Sequence, residues 1–316
     1  MLKERRIIFC WVIKGGYVHL LSSNMRLLNL TGLAFALGME PAFSKFVLRA
    51  VLYGVLVGLM AASAVAQGGG RLQKMLNAGS AIIVDEHTGK RLDGFGENER
   101  KEVASLQKLL SALLIVRAGN LDKLITITAE DANCSPTKLP NSVGGTYTRM
   151  ELLQAIMVNS SNDAARALAR DHSGSEAAFG AKMTQLARSL GAGNSVFKNS
   201  TGFSANGQYS TAADMAIITR AAYRDRLLRQ IARTKSLPWR DAKGKMHELK
   251  NSNRLLQRHE NCAGFKIGFT GKAGHCAAVV WVENNRTLIG VVLNGRDQMF
   301  WIQTGLVLKL YANGLI

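Results

Sequence analysis

The chain is short of acidic residues. It carries 22 Asp and Glu against 40 Lys and Arg, a net charge of +18 over 316 residues. Positions 1–66 hold seven of the basic and two of the acidic residues; without them the balance is 33 to 20, still +13. The basic character therefore belongs to the main body. It favours an anionic partner such as anionic lipid or an acidic wall polymer, or it is a solvated basic surface. Cys/His finger spacing and aromatic-basic RNA signatures are both missing, so no nucleic-acid partner is expected. Cysteine is scarce: Cys10, Cys134, Cys262 and Cys276. The six histidines are scattered, with no CxxC or HxxxH spacing, so neither a metal nor another cofactor is expected. Without Cys10 three cysteines remain, which reads as buried small hydrophobes rather than a disulfide framework. There is no internal repeat. A hydrophobic share of 47% with 20% charged residues suits a globular protein of one or two domains and excludes a disordered one.

The uncharged stretch Ala50–Ala66 falls short of the about 20 apolar residues a membrane helix needs. Lys45 and Arg49 precede it and Ala64-Val65-Ala66 ends it with a small-x-small pattern. This predicts a secretory signal cleaved after Ala66, and export to the periplasm or cell envelope; left uncleaved, the same segment would attach the protein to the membrane. Met39 would begin a leader of ordinary length, so residues 1–38 are expected not to be translated. The expected organisation is an N-terminal extension with the signal over 1–66, a linker over 67–76, and one catalytic domain over 77–316. No further domain is expected beyond it.

Within that domain, Ser80–Asp85 and Arg91–Phe95 read as two strands around the His87-Thr-Gly-Lys90 turn. Val103–Ala118 is apolar at helical spacing and stops at Gly119. Thr148-Arg-Met-Glu151 is a capping box. Asn162 or Asp163 can cap a helix to about Arg170. Ser175–Leu190 is a further amphipathic helix, and Thr211-Ala-Ala-Asp214 caps another to about Tyr223. Ala263–Phe269, His275–Glu283 and Thr287–Leu293 are three strands joined by short turns, followed by a helix over 299–311. The fold class is α+β. One antiparallel five-stranded sheet is built from the N-terminal hairpin and the C-terminal meander, with helices on it and a mostly helical subdomain inserted over about 103–225.

Three short motifs carry chemistry. Ser105-Leu-Gln-Lys108 sits in the first turn of an apolar helix, where an i,i+3 pair shares one face and hydroxyl and amine can meet. The helix N-terminus offers N–H groups to a developing oxyanion. The plain alternative for Ser105 is a capping serine. Ser135-Pro-Thr-Lys138 matches the same pattern but lies among prolines with no helix to aim it. A lysine titrating near 10.4 is a poor base, so Lys108 has to be desolvated or set beside a second cation, for which Lys266 is the candidate. Ser160-Ser-Asn162 lies at a corner between two helices. Lys108 is expected within reach of both Ser105 and the Ser160 hydroxyl, which could relay a proton, while the Asn162 amide could hold a substrate carbonyl. Ser204-Ala-Asn206 is a chance copy. Lys266-Ile-Gly268 opens the strand-rich end; Gly268 admits close approach, and strand alternation puts Ile267 on the face opposite Lys266 and Gly268. The backbone N–H of Phe269 would be a second oxyanion donor beside that of Ser105. Arg296 is a candidate for substrate carboxylate, against a solvated arginine.

Ala104-Ser-Leu-Gln-Lys108, Met157–Ala165, Asn199-Ser-Thr-Gly202, Tyr209–Asp214 and Gly264–Thr270 through Ala273–Cys276 together resemble the low-molecular-mass penicillin-binding proteins, the serine-type D-alanyl-D-alanine carboxypeptidases. The resemblance runs from about residue 77 to 312. It implies a β-lactamase/transpeptidase-like fold, acylation of a serine by peptidoglycan stem peptides ending in D-Ala-D-Ala, hydrolysis, and covalent trapping by β-lactams. Carried over, Ser105 is the nucleophile, Lys108 the base, Ser160 and Asn162 the second wall, and Lys266 the carboxylate-side cation. One position departs: where the family has a threonine whose hydroxyl helps bind the terminal carboxylate, this chain has Ile267. Losing such a hydrogen bond costs about 1.5–3 kcal/mol, which weakens an enzyme without abolishing it and could favour an endopeptidase substrate. The rival readings are a weakened wall-peptide or penicillin binder and a class A-type β-lactamase. The second conflicts with the lack of any glutamate between Glu176 and Glu248.

Overall fold

The computed structural model describes residues 11–14, 17–20, 70–296 and 300–316. The signal segment, its cleavage site, Met39 and Cys10 lie outside these residues. Trp11–Lys14 and Tyr17–Leu20 pair as a short antiparallel hairpin; residues 64–316 form a separate unit, whose described part begins at residue 70. Among the described residues no helix is long and apolar enough to cross a membrane.

In chain order the second unit runs α1 (Arg71–Met75), β1 (Ser80–Asp85), β2 (Arg91–Phe95), a 3-10 turn over Ala104–Gln107 leading into α2 (Lys108–Ala118), β3 (Leu124–Thr126), α3 (Ala129–Ala132), β4 (Thr146–Thr148), α4 (Arg149–Val158), α5 (Asn162–Ser173) and α6 (Glu176–Ser189). It continues with α7 (Ala212–Arg224), α8 (Arg226–Ala232), β5 (Ser236–Arg240), β6 (Met246–Lys250), α9 (Arg254–Arg258), β7 (Cys262–Thr270), β8 (Gly274–Glu283), β9 (Arg286–Gly295) and α10 (Phe300–Ala312). The five-stranded sheet has the order β2-β1-β9-β8-β7, all neighbours antiparallel. The first hairpin thus joins the closing meander through β1 and β9, as expected.

Strand alternation divides the apolar residues between two cores. Ile82, Val84, Ala278, Val280, Ile289 and Val291 face the helical subdomain and pack with α2 and α4–α8. Ala81, Ile83, Ala277, Val279, Trp281, Leu288 and Val292 face the other way, onto α1, α9 and α10. α2 is buried from Lys108 through Leu113 and again at Ile115, so it is the axis of the first core rather than a surface helix. Three of the four capping signals are used as read; the fourth is not, since Ser161 rather than Asn162 or Asp163 stands at the cap of α5 and makes no side-chain cap bond. Thr148 and Glu151 close both arms of the capping box on α4, while Ser175 and Thr211 accept from N3 amides at the starts of α6 and α7. Cys134, Cys262 and Cys276 are buried and free.

Two small hairpins were not read from the sequence, β3–β4 and β5–β6. The second contains Pro238, paired with Glu248. Proline is tolerated because a two-stranded ribbon is all edge.

Candidate active site

Ser105 lies in the 3-10 turn that precedes α2, and Lys108 is the first residue of that helix. Two glycines press on the turn. A Cβ at Gly202, whose φ is +94°, would stand 2.1 Å from the Ala104 carbonyl oxygen, and one at Gly268 would stand 2.6 Å from the Ser105 nitrogen. No side chain fits in either place, so the Gly202 loop and β7 both close directly on the serine. The i,i+3 geometry brings Lys108 Nζ to 2.8 Å from Ser105 Oγ.

The second wall is the corner between α4 and α5. The amides of Ser160 and Ser161 turn back onto the Ala155 carbonyl. Ser160 takes a φ of +72°, a strained setting held in place by the two helices it joins. Asn162 opens α5, its amide bonded to the Thr137 carbonyl at 2.8 Å. Its Oδ1 accepts from Lys108 Nζ at 2.7 Å. The carbonyl end of Asn162 thus serves the lysine, and its NH2 group is left for another acceptor. Lys108 does not reach the Ser160 hydroxyl as expected. Its third partner is the Thr201 backbone carbonyl, at 2.7 Å. The physical reason is directional: three acceptors already surround the amine, and Ser160 sits at the turned-back corner with its hydroxyl unbonded among the described residues.

This environment dictates the state of the amine. Lys108 is fully buried, and burial, followed by repulsion from Lys266, holds its pKa well below the ordinary lysine value. Nζ donates to Asn162 Oδ1, the Thr201 carbonyl and Ser105 Oγ. Loss of one proton leaves two N–H groups for Asn162 Oδ1 and the Thr201 carbonyl, which can only accept, and turns the lone pair toward the Ser105 hydroxyl. A longer contact of Ser105 Oγ to the Thr201 carbonyl, 3.3 Å, is the competing arrangement.

Lys266 is also fully buried, and its Nζ has one acceptor, the Ile267 carbonyl at 3.1 Å. Burial pushes its pKa down to about 7. The alternation read from the sequence is present: Gly268 abuts Ser105, while Ile267 packs with the opposite core. Ile267 also lines a groove of about 1130 Å³ with Phe269, His275, Phe300 and Trp301 on one side and Lys235, Lys250 and Arg254 from the β5–β6 and α9 region among the rest. Phe269 is 61% exposed and packs its ring on His275 at 4.5 Å. Arg296 follows β9, exposed, its amide bonded to the Asn77 carbonyl. It lies at the same end of the sheet as Phe269, since Gly295 pairs with His275 and His275 with Phe269. No side-chain contact joins it to the serine.

The decoys separate on the same grounds. Lys138 donates to the Ala132 carbonyl rather than to Ser135. Ser204 bonds the Glu102 carboxylate. The feature that sequence reasoning missed is the Thr201 carbonyl, which belongs to the backbone and leaves no side-chain signal; only Gly202 marks the spot.

A sheet edge, a buried lysine of lowered pKa and a serine at a helix start make up the arrangement of the penicillin-binding fold. The sequence pattern of the D-alanyl-D-alanine carboxypeptidases matches residues 68–297, and the chain belongs to that family. A D-alanyl-D-alanine carboxypeptidase of Bacillus subtilis, DacF, is 32% identical over 255 residues, 78% of this chain and 66% of that protein. The Escherichia coli D-alanyl-D-alanine endopeptidase is 30% identical over 275 residues, 77% of this chain and 83% of that one. A solved D-alanyl-D-alanine carboxypeptidase from Mycobacterium tuberculosis superposes with a TM-score of 0.70 at 26% identity, over 74% of this chain and 90% of that chain. The chain spans just under two thirds of the Bacillus protein's length, and most of the endopeptidase's.

Proposed function

We propose that this protein is an exported serine-type D-alanyl-D-alanine carboxypeptidase of the periplasm or cell envelope, acting on peptidoglycan stem peptides. The observation that carries the reading is the Lys108 amine, buried, its pKa held well below the ordinary lysine value, and 2.8 Å from Ser105 Oγ. Ser105 Oγ attacks the carbonyl of the penultimate D-alanine and gives its proton to Lys108. The oxyanion that forms is received by the N–H groups of Ser105 and Phe269. The C–N bond then breaks, Lys108 returns a proton to the departing D-alanine nitrogen, and an ester on Ser105 remains. Water hydrolyses that ester and restores the serine. The Asn162 NH2 group holds a substrate carbonyl, and Lys266, with Gly268 beside it and Arg296 further along the sheet, attracts the substrate carboxylate.

A second reading, D,D-endopeptidase, is favoured by one observation: Ile267 has no hydroxyl for a terminal carboxylate.

Labelled penicillin followed by mass spectrometry of peptides tests the acyl-serine reading. A stable adduct on Ser105 is expected; rapid turnover of the penicillin points to a β-lactamase, and no adduct to a non-catalytic binder. Free D-alanine against cleaved cross-links, measured on purified wall fragments, separates carboxypeptidase from endopeptidase.

A further inference from the structure

The direction of the Lys108 lone pair depends on a backbone carbonyl, and a backbone carbonyl is only as fixed as its loop. Thr201 lies in a loop without regular structure. One side chain organises it. Asn199 Oδ1 receives the amides of Thr201 (3.2 Å) and Gly202 (2.9 Å) and the Thr201 hydroxyl (3.1 Å). Its Nδ2 donates to the Phe203 carbonyl at 2.9 Å. The loop is also tied to the turn it serves. Gln107, fully buried one residue before Lys108, donates Nε2 to the Asn199 carbonyl at 2.5 Å and to Asn199 Oδ1 at 3.1 Å. The Gln107 Oε1 is left buried with no partner, an arrangement that costs free energy and is retained. The ring of contacts closes: Lys108 to the Thr201 carbonyl, through Asn199, to Gln107 and back to Lys108.

We propose that Asn199 and Gln107 are positioning residues for the acylation step, holding the Thr201 carbonyl where it takes one N–H of Lys108 and so turns the lone pair onto Ser105. The inference rests on the acyl-serine reading. Without the clamp the carbonyl can drift, Lys108 can turn its N–H toward Ser105 instead, and the serine proton then has no acceptor. Neither residue touches substrate, so the loss falls on the rate of bond formation and not on the initial binding of the ligand.

The test is the acylation of the full chain by a labelled penicillin, with rate constant and non-covalent affinity resolved, across pH 5–10, alongside the unfolding midpoint of each variant. Asn199→Ala is expected to slow acylation roughly ten- to a hundredfold with affinity unchanged. Asn199→Asp keeps the accepting oxygen and adds negative charge to the ring, which favours the charged amine. Its plateau rate is expected to return to within a few-fold of the wild type, with the acidic limb of the profile moved to higher pH. Gln107→Leu, which leaves the Asn199 turn its own bonds, is expected to slow acylation roughly three- to tenfold and decides the matter if Asn199→Ala fails to fold. Wild-type rates in Asn199→Ala or Gln107→Leu overturn the proposal. So does an Asp variant as slow as the Ala variant with an unmoved limb, since that is the signature of a merely structural residue. A wild-type chain that no penicillin acylates overturns the acyl-serine reading itself, and this inference with it.

Discussion

Replacing Lys266 by methionine should make the protein more stable at neutral pH while impairing it as an enzyme. The Lys266 side chain is fully buried, its amine has a single acceptor, and burial lowers its pKa from 10.5 to about 7. The unfolded chain keeps the ordinary value. Between about pH 7 and 10.5 the unfolded state therefore binds a proton that the folded state does not, so stability rises with pH across that window and is lost as pH falls toward 7. A shift of that size is worth on the order of 5 kcal/mol at 1.36 kcal/mol per unit. Methionine fills much of the same volume and has nothing to desolvate. The methionine variant should exceed the wild type by on the order of 4 kcal/mol at pH 7, with the gap closing toward pH 10.5. Denaturant midpoints for both proteins at pH 6, 7, 8.5 and 10 measure this directly. Lys108 titrates in both, so the difference curve isolates Lys266 together with the repulsion it exerts on Lys108. A gap that stays constant with pH, or a less stable variant, would refute the reasoning. Removing that repulsion also lets the Lys108 pKa rise, and the acidic limb of acylation should move to higher pH.

Other changes have equally definite outcomes. Ile267→Thr should raise D-alanine release roughly ten- to a hundredfold, the worth of one hydrogen bond to a charged group; unchanged release on a D-Ala-D-Ala peptide would refute the account of that position. Gly202→Ala puts a methyl 2.1 Å from the Ala104 carbonyl oxygen at a φ of +94°, and should cost about 3 kcal/mol or more of stability and most of the acylation. Arg149→Ala removes a guanidinium that donates two N–H groups to Asp171 and a third to the Gly119 carbonyl, with both side chains nearly buried. Thermal or denaturant unfolding should show a loss of about 3–5 kcal/mol with the adduct still forming on Ser105 at low temperature.

The sheet was legible because its strands carry dense apolar runs with short turns between them. β7, β8 and β9 fall within two residues of their expected bounds. α4, α6 and α7 were legible from their caps. What escaped was held by tertiary contact. β5–β6 has a proline, and it is stabilised by its place against α4 rather than by its own sequence. At the site, Ser105, Lys108, Asn162, Lys266 and Gly268 were readable as residue types at meaningful spacing. The partner assigned to Lys108 was not, since Ser160 and Thr201 are both plausible from spacing and only the path of the chain decides between a hydroxyl and a carbonyl. Asn199 was quoted as part of a motif, but its four hydrogen-bond donors converge only in the fold.

The fate of an acylated Ser105 follows from which carboxylates stand free. Two acidic side chains act electrostatically on Lys108, Glu176 and Asp163. The Glu176 oxygens are taken by the amide and hydroxyl of Ser200. Asp163 is fully buried and accepts from the amides of Leu139 and Ala164. Neither is disposed to activate a water beside an ester on Ser105. In the proposed mechanism Lys108 is then the base in both half-reactions. For a peptide this is workable, because the amine product departs and water takes its place. A β-lactam opens without losing its nitrogen, which stays tethered on the leaving side next to Lys108 and keeps that position from water. Acylation by penicillin should therefore be followed by deacylation many times slower than acylation, read as an adduct that persists after free drug is removed. Loss of the adduct within seconds would mean that another base serves the second step.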